Sequence, residues 1–290
     1  MPASACESIE VSHSGNCELD CGIHSTPIRH QMLDPLVSRI FFRPSHDYLP
    51  SRKQELVVSA RWGDVQIWRE YHLPANAPHA VPELLVLRFL GSRGRAEMAT
   101  LDPVDRIGDV ASEVWTVNAP GFGRTTGPAS LKRYADSALL AHEAILKHAA
   151  GRPVWVAGKS LGTAAALHVC AQLGASGLIV RNAMPLRELI MQRYAWWNLW
   201  LPAWTVARQV PTTLENLTNA SRCQVPALFL VSRDDRIVPP IFQQQVINAY
   251  KGEKEVLSIA GGHDERQLSA EDELRYQRAL RALHSNTMHF

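Results

Sequence analysis

From about Leu33 onward the chain alternates short apolar blocks with longer stretches in which apolar residues recur at helical spacing. Glu55-Leu56-Val57-Val58-Ser59-Ala60 and Val65-Gln66-Ile67-Trp68-Arg69-Glu70-Tyr71 flank Gly63-Asp64, the pattern of an antiparallel hairpin at a sheet edge. The blocks that follow are Glu83 to Phe89, Val114 to Val117, Val154 to Ala157, Gly177 to Val180, Ala227 to Val231 and Glu255 to Ile259. They are compact and rich in aliphatic residues, as strands covered on both faces are. Helix-length segments separate them, so the order predicts an α/β fold with a mostly parallel central sheet and helices on both faces.

Three segments carry helix marks. Ser130 precedes a run in which Tyr134, Ala138, Ala141 and Ile145 share one face, which reads as a helix capped by Ser130 and ended at Gly151-Arg152-Pro153. Leu161 to Leu173 is rich in alanine and free of proline, a good helix former. Asp264 to His284 is amphipathic and reads as a closing helix. Between Val180 and Ala227, at about 183–222, lies an insertion whose Tyr194 to Trp204 stretch holds half of the eight tryptophans. It reads as helices packed over the sheet, as a wall or lid of a ligand site, or as both. Residues 1–30 are rich in Ser, Cys, His and acids without apolar periodicity, so a poorly ordered leader is expected ahead of one domain spanning 31–290.

Composition narrows the function classes. With 290 residues, 46% hydrophobic and 20% charged, one domain can bury a full core without disulfides. A formal net charge of +2 and no long Lys/Arg run argue against a nucleic-acid partner. No apolar run reaches the roughly 18–20 residues of a membrane span, and the N-terminus lacks the layout of a secretory signal. A cytoplasmic location is therefore expected. The odd count of five cysteines, with Cys170 and Cys223 in apolar surroundings, points to reduced thiols. Cys6, Cys17 and Cys21 beside His13 and His24 match no standard zinc spacing, so no metal is expected. The Trp-rich insertion and Ile40-Phe41-Phe42 leave contact with a membrane surface as a less favoured alternative.

The chemistry concentrates in loops at strand ends. Gly158-Lys159-Ser160-Leu161-Gly162 stands between a strand and a helix, where glycines two before and two after the serine permit a sharp turn that exposes the hydroxyl. The helix N-terminus that follows favours negative charge, and the Leu161 N–H can donate to an oxyanion. A serine nucleophile needs a base and an acid that orients it. Asp234 and Asp235 both follow the Ala227–Val231 block, with Asp235 preferred. Gly261-Gly262-His263 follows the last strand and completes the chain order Ser, Asp, His.

These motifs together resemble the α/β-hydrolase superfamily, and within it the small-capped serine hydrolases of the Bem46-like and serine-aminopeptidase-like groups. The likeness covers about Leu33 to Leu283. Besides the serine turn it rests on Pro120-Gly121-Phe122-Gly123-Arg124-Thr125-Thr126-Gly127-Pro128-Ala129-Ser130, which resembles the Gly-Tyr-Gly-x-Ser-x-Gly-x-Pro-Ser loop of those groups, on Asp235-x-x-Val238-Pro239, and on Gly262-His263. The resemblance implies that Ser160 is the nucleophile, Asp235 the acid and His263 the base.

The resemblance also implies a second oxyanion donor, the Ser92 N–H, from the loop after the third strand. That loop usually reads His-Gly-x-Gly in the family, and here it is Leu90-Gly91-Ser92-Arg93-Gly94-Arg95, with Leu90 in place of the histidine. Arg93, Arg95 and Lys159 are either solvated or placed to receive an anionic acyl group or phosphate. The implied activity is hydrolysis of a carboxylic ester in a small-molecule acyl substrate through an acyl-enzyme, with no metal or organic cofactor. A peptidase or amidase would use the same machinery, and a non-catalytic ligand-binding member is the alternative from another class.

Overall fold

The computed structural model describes residues 7–9, 38, 41–194, 200–265 and 267–287. Among the described residues nine strands form one sheet: β1 (Glu7–Ile9), β2 (Gln54–Ala60), β3 (Gly63–His72), β4 (Leu84–Phe89), β5 (Ser112–Val117), β6 (Val154–Lys159), β7 (Gly177–Arg181), β8 (Ala227–Ser232) and β9 (Lys254–Ile259). Their spatial order is β1-β2-β3-β5-β4-β6-β7-β8-β9. β2 and β3 pair antiparallel, as the hairpin pattern predicts, and β3 runs antiparallel to β5. From β5 through β9 every pairing is parallel. The expected edge hairpin is one strand in from the edge, because Glu7–Ile9, inside the stretch read as a leader, pairs in parallel with β2.

Both faces of the sheet are covered. Alternate residues of β4 go to opposite sides, Leu85, Leu87 and Phe89 to one core and Leu84 and Val86 to the other, as the two-residue period of a strand requires. The larger core is closed by α1 (Leu131–Ala149) and α2 (Gly162–Leu173), and the smaller by the last helix, here α7 (Ala270–Thr287). Ser130 caps α1 by accepting from the Arg133 N–H at 3.3 Å. The closing helix begins six residues later than the pattern Asp264 to His284 suggests. Ser269 supplies the N-cap, accepting the Asp272 N–H on its side chain at 3.1 Å and the Glu273 N–H on its carbonyl at 2.8 Å. Residues 264–265 belong instead to the turn after β9.

The insertion folds as α3 (Leu186–Tyr194), α4 (Trp200–Ala207) and α5 (Asn216–Arg222). Asn216 ties it to α2 and to the start of the insertion, donating to Thr163 Oγ1 at 3.1 Å and to the Met184 carbonyl at 2.9 Å. Trp196 and Trp197 lie outside the described residues, while Trp204 is partly exposed beneath the Arg208 guanidinium. A further helix, α6 (Pro240–Ala249), had no clear sequence mark because its polar Gln243-Gln244-Gln245 run interrupts the apolar pattern.

Phe41 and Phe42, read as one element of a membrane contact, are core residues. Phe42 packs edge-on against Phe122 and Tyr134, with centroids 6.1 and 5.5 Å away. Among the described residues no helix is long and apolar enough to cross a membrane, and no group of His, Cys, Asp and Glu could hold a metal ion. The proposed Cys/His leader residues lie outside that description.

The chain leaves β4 for β5 on one side and then crosses to β6 on the other. The carboxyl ends of β4 and β6 therefore border a topological switch point, where open parallel sheets form ligand crevices. The loops after these strands are Leu90–Gly94 and the serine turn.

Candidate active site

Ser160 joins β6 to α2 with φ +54°, a left-handed conformation that costs an L-residue roughly 1–2 kcal/mol. The surrounding packing holds it there. Its N–H donates to the Arg181 carbonyl at 2.9 Å and its carbonyl accepts from Thr163 Oγ1 at 2.6 Å. The two glycines of the turn answer a steric demand. A Cβ on Gly158 would lie 2.6 Å from the Gly162 carbonyl oxygen, and one on Gly162 would lie 2.2 Å from the Phe89 carbonyl oxygen. Only bare backbone lets strand and helix approach so closely.

Three sequence-predicted residues meet although they are separated by up to 103 positions. His263 Nε2 is 2.9 Å from Ser160 Oγ, and His263 Nδ1 is 2.7 Å from Asp235 Oδ2. The carboxylate can only accept, so Nδ1 carries the proton and Nε2 is left to accept from the serine hydroxyl. Asp235 is fully buried at its side chain. Its Oδ1 accepts the Ile237 and Val238 N–H groups, both at 2.8 Å, and Gln243 Nε2 donates to Oδ2 at 3.3 Å. These donors satisfy the oxygens of the buried carboxyl group. Asp234, the competing candidate, is exposed and accepts the Gly261 N–H at 3.2 Å, which braces the histidine loop.

The Leu90–Gly94 loop lies against the serine. A Cβ on Gly91 would touch Ser160 Cβ at 3.4 Å. The loop is closed by the Gly94 N–H donating to the Gly91 carbonyl at 2.9 Å, and the Ser92 carbonyl accepts the Arg43 N–H at 2.9 Å. Among the described residues the Ser92 and Leu161 N–H groups donate no hydrogen bond to another loop or turn carbonyl. Leu90 lines the cavity.

That cavity measures about 1210 Å³ and contains Ser160 and His263. Phe41, Leu90, Met184, Leu189 and Ile190 supply apolar lining, and Met184 Sδ is 3.7 Å from Ser160 Oγ. Arg93 lines the cavity and is exposed. Lys159 is paired with Asp264 at 3.0 Å. Arg95 also lines the cavity, but it is buried, paired with Glu97 at 2.7 Å and donates to the Asp47 carbonyl at 2.9 Å. The Pro120–Ser130 loop is absent from the lining. Its Thr125 hydroxyl donates to the Asn118 carbonyl and accepts the Gln66 N–H, which locks the loop beneath the hairpin.

Two residues that sequence reasoning passed over support the assembly. Asn182, directly after β7, has φ +54° and is fully buried. It donates to the His263 carbonyl at 3.0 Å and accepts the Ser232 N–H at 3.1 Å, linking the histidine loop to the end of β8, which leads into the Asp235 loop. An asparagine closing a strand is itself a signal for a left-handed turn. Gln243 gave no such signal, since its role depends on α6 packing against the Asp235 loop.

No protein-family model matches the sequence. Several solved structures share the architecture. Est1E from Butyrivibrio proteoclasticus is 15% identical, with 81% of this chain and 99% of that chain covered and a TM-score of 0.61. Acetyl xylan esterase 1 from Thermoanaerobacterium sp. is 14% identical, covering 89% and 94%, with a TM-score of 0.57. The monoacylglycerol lipase of Paleococcus ferrophilus is 16% identical, covering 76% and 99%, with a TM-score of 0.52. Likeness at these identities is one of architecture, and with the observed sheet order it establishes that the chain has the α/β-hydrolase fold.

Proposed function

We propose that this protein is a serine hydrolase that cleaves a carboxylic ester through an acyl-enzyme. The observation that carries the reading is the relay from Asp235 Oδ2 through His263 to Ser160 Oγ, at 2.7 and 2.9 Å. In this reading His263 takes the Ser160 proton as Oγ attacks the ester carbonyl, and Asp235 orients and stabilises the imidazolium. The Ser92 and Leu161 N–H groups receive the oxyanion. His263 then protonates the departing alcohol, and water attacks the acyl-enzyme by the same route in reverse. The apolar lining beside Ser160 suits an acyl chain. An ester is favoured over an amide because neighbours of the same fold are named as an acetyl xylan esterase and a monoacylglycerol lipase.

Covalent labelling with a fluorophosphonate tests the reading. Wild type is expected to label on Ser160 and the Ser160→Ala variant to stay unlabelled. An unlabelled wild type, or equal labelling of both, overturns it. Comparing p-nitrophenyl butyrate with aminoacyl anilides distinguishes esterase from amidase.

A further inference from the structure

The charge around the cavity is unevenly neutralised. The inner cations have partners: Arg95 has Glu97 at 2.7 Å, Arg106 has Asp102 at 2.7 Å and Glu273 at 3.0 Å, and Lys159 has Asp264 at 3.0 Å. Arg88, buried on β4, donates to Thr116 Oγ1 at 2.8 Å and to the Asp102 carbonyl. Three exposed cations of the lining differ. Arg43, Arg93 and Arg236 line the same cavity and are exposed, and among the described residues none forms an ion pair. Ser160 lines the same cavity. The Arg43 N–H is bonded to the Ser92 carbonyl at 2.9 Å, Arg93 follows Ser92 in the chain, and Arg236 follows Asp235. Two of the three thus stem from backbone tied to the loop that carries Ser92, and one from the loop that carries Asp235.

We infer that the substrate is an acyl ester of a phosphorylated alcohol, whose phosphate is held by Arg43, Arg93 and Arg236. This rests on the hydrolase reading above. The buried walls beside Ser160, Leu189 and Ile190, are apolar and take the acyl chain, which leaves the alcohol toward the exposed arginines. A phosphate offers three terminal oxygens to planar guanidinium forks, a better match to three arginines than the two oxygens of one carboxylate. The reaction consumes one water. Ser160 Oγ forms the acyl bond as the alcohol C–O bond to the carbonyl carbon breaks, and the alcohol oxygen takes the proton from His263 Nε2 with its phosphate intact. Water then supplies the oxygen of the released acid and returns the proton to Ser160.

A matched pair of esters tests this: 1-butyryl-glycerol 3-phosphate against 1-butyryl-glycerol, with butyrate release measured at low ionic strength. The phosphorylated ester is expected to have a kcat/KM roughly 10- to 100-fold higher, the effect of one or two charge-assisted hydrogen bonds. Because the arginines are exposed, added salt should shrink the ratio. Arg43→Gln/Arg93→Gln/Arg236→Gln should bring it close to one, with Ser160 labelling by a fluorophosphonate as the check that the triple variant is folded. Equal rates for the two esters in wild type, or a ratio that survives in the triple variant, overturn the inference while leaving the hydrolase reading in place. Absence of wild-type labelling overturns the hydrolase reading itself. If Ser160 labels but neither ester turns over, glycerol 3-phosphate decides: slowed labelling relative to glycerol supports the phosphate site, and unchanged labelling refutes it. A long-chain 1-acyl-glycerol 3-phosphate in micelles, set against the butyryl ester, separates a lipid substrate from a small soluble one.

Discussion

Replacing Gly162 with alanine sets helix propensity directly against packing. In an unconstrained helix the change would stabilise by about 1 kcal/mol. Here the added Cβ would sit 2.2 Å from the Phe89 carbonyl oxygen, 2.6 Å from its carbonyl carbon and 2.8 Å from the Leu90 carbonyl oxygen. Ordinary contacts of this kind lie near ~3.3–3.6 Å, so α2 and the end of β4 must separate by roughly 1 Å. No rotamer can relieve the overlap, because every obstructing atom is backbone. Phe89 is hydrogen-bonded between β5 and β6, so the strain cannot be absorbed there cheaply. Overpacking of this type costs about 1–3 kcal/mol, and with the propensity gain of about 1 kcal/mol subtracted the net expectation is a loss of about 1 kcal/mol, up to about 2. The same movement displaces Ser160 from the Leu90–Gly94 loop, and a misplacement of about 1 Å lowers rate on the order of a hundredfold. Urea unfolding and kcat/KM for p-nitrophenyl butyrate measure the two effects. A Gly162→Ala protein at least as stable as wild type, with kcat/KM within about threefold, would refute the steric account of the turn.

Other expectations follow from the same contacts. Asp235→Asn should lower kcat by about ten-thousandfold by presenting the wrong group to His263 Nδ1, and stopped-assay kinetics that show a less than tenfold change would contradict the assigned role. Asn182→Ala leaves the His263 carbonyl and the Ser232 N–H unpaired. It should cost about 1–3 kcal/mol per group and lower kcat, and a variant with wild-type melting and turnover would show that Asn182 positions nothing. His142 is fully buried and neither ring nitrogen has a partner among the described residues. Burial pushes its pKa down to about 4, below the ~6.5 of the unfolded chain. Its contribution is therefore complete above pH ~6.5 and lost as pH falls toward 4, by roughly 2.5 kcal/mol at pH ~4.5. Urea titrations at pH ~7.5 and ~4.5 should show a smaller acid loss for His142→Leu, and an unchanged difference would exclude this histidine as the source.

Much of the architecture was legible because each strand block carries its own signature. Val154 to Ala157 and Ala227 to Val231 are short, apolar and bounded by turn residues, so the local pattern and the observed strands β6 and β8 agree. The serine turn was equally local, since glycine spacing alone reports the close approach of strand and helix. Boundaries were less visible where tertiary contacts override periodicity. Asp264 and Glu265 continue the amphipathic pattern of α7, yet Lys159 holds Asp264 at 3.0 Å and the Glu265 N–H closes a turn on the Gly262 carbonyl at 3.2 Å. Arg95 showed the same limit, because nothing in its own neighbourhood announces that Ser45 and Asp47 come within hydrogen-bonding distance.

Local order along the chain thus determined the element types, the parallel sheet and the identities of Ser160, Asp235 and His263 as candidates, because hydrophobic period, glycine spacing and chain order are all written in adjacent residues. Packing alone decided which carboxylate meets the imidazole, which arginines are neutralised and which line the cavity exposed. Those outcomes depend on distances between segments up to 103 positions apart, and no short-range pattern encodes a distance across a fold.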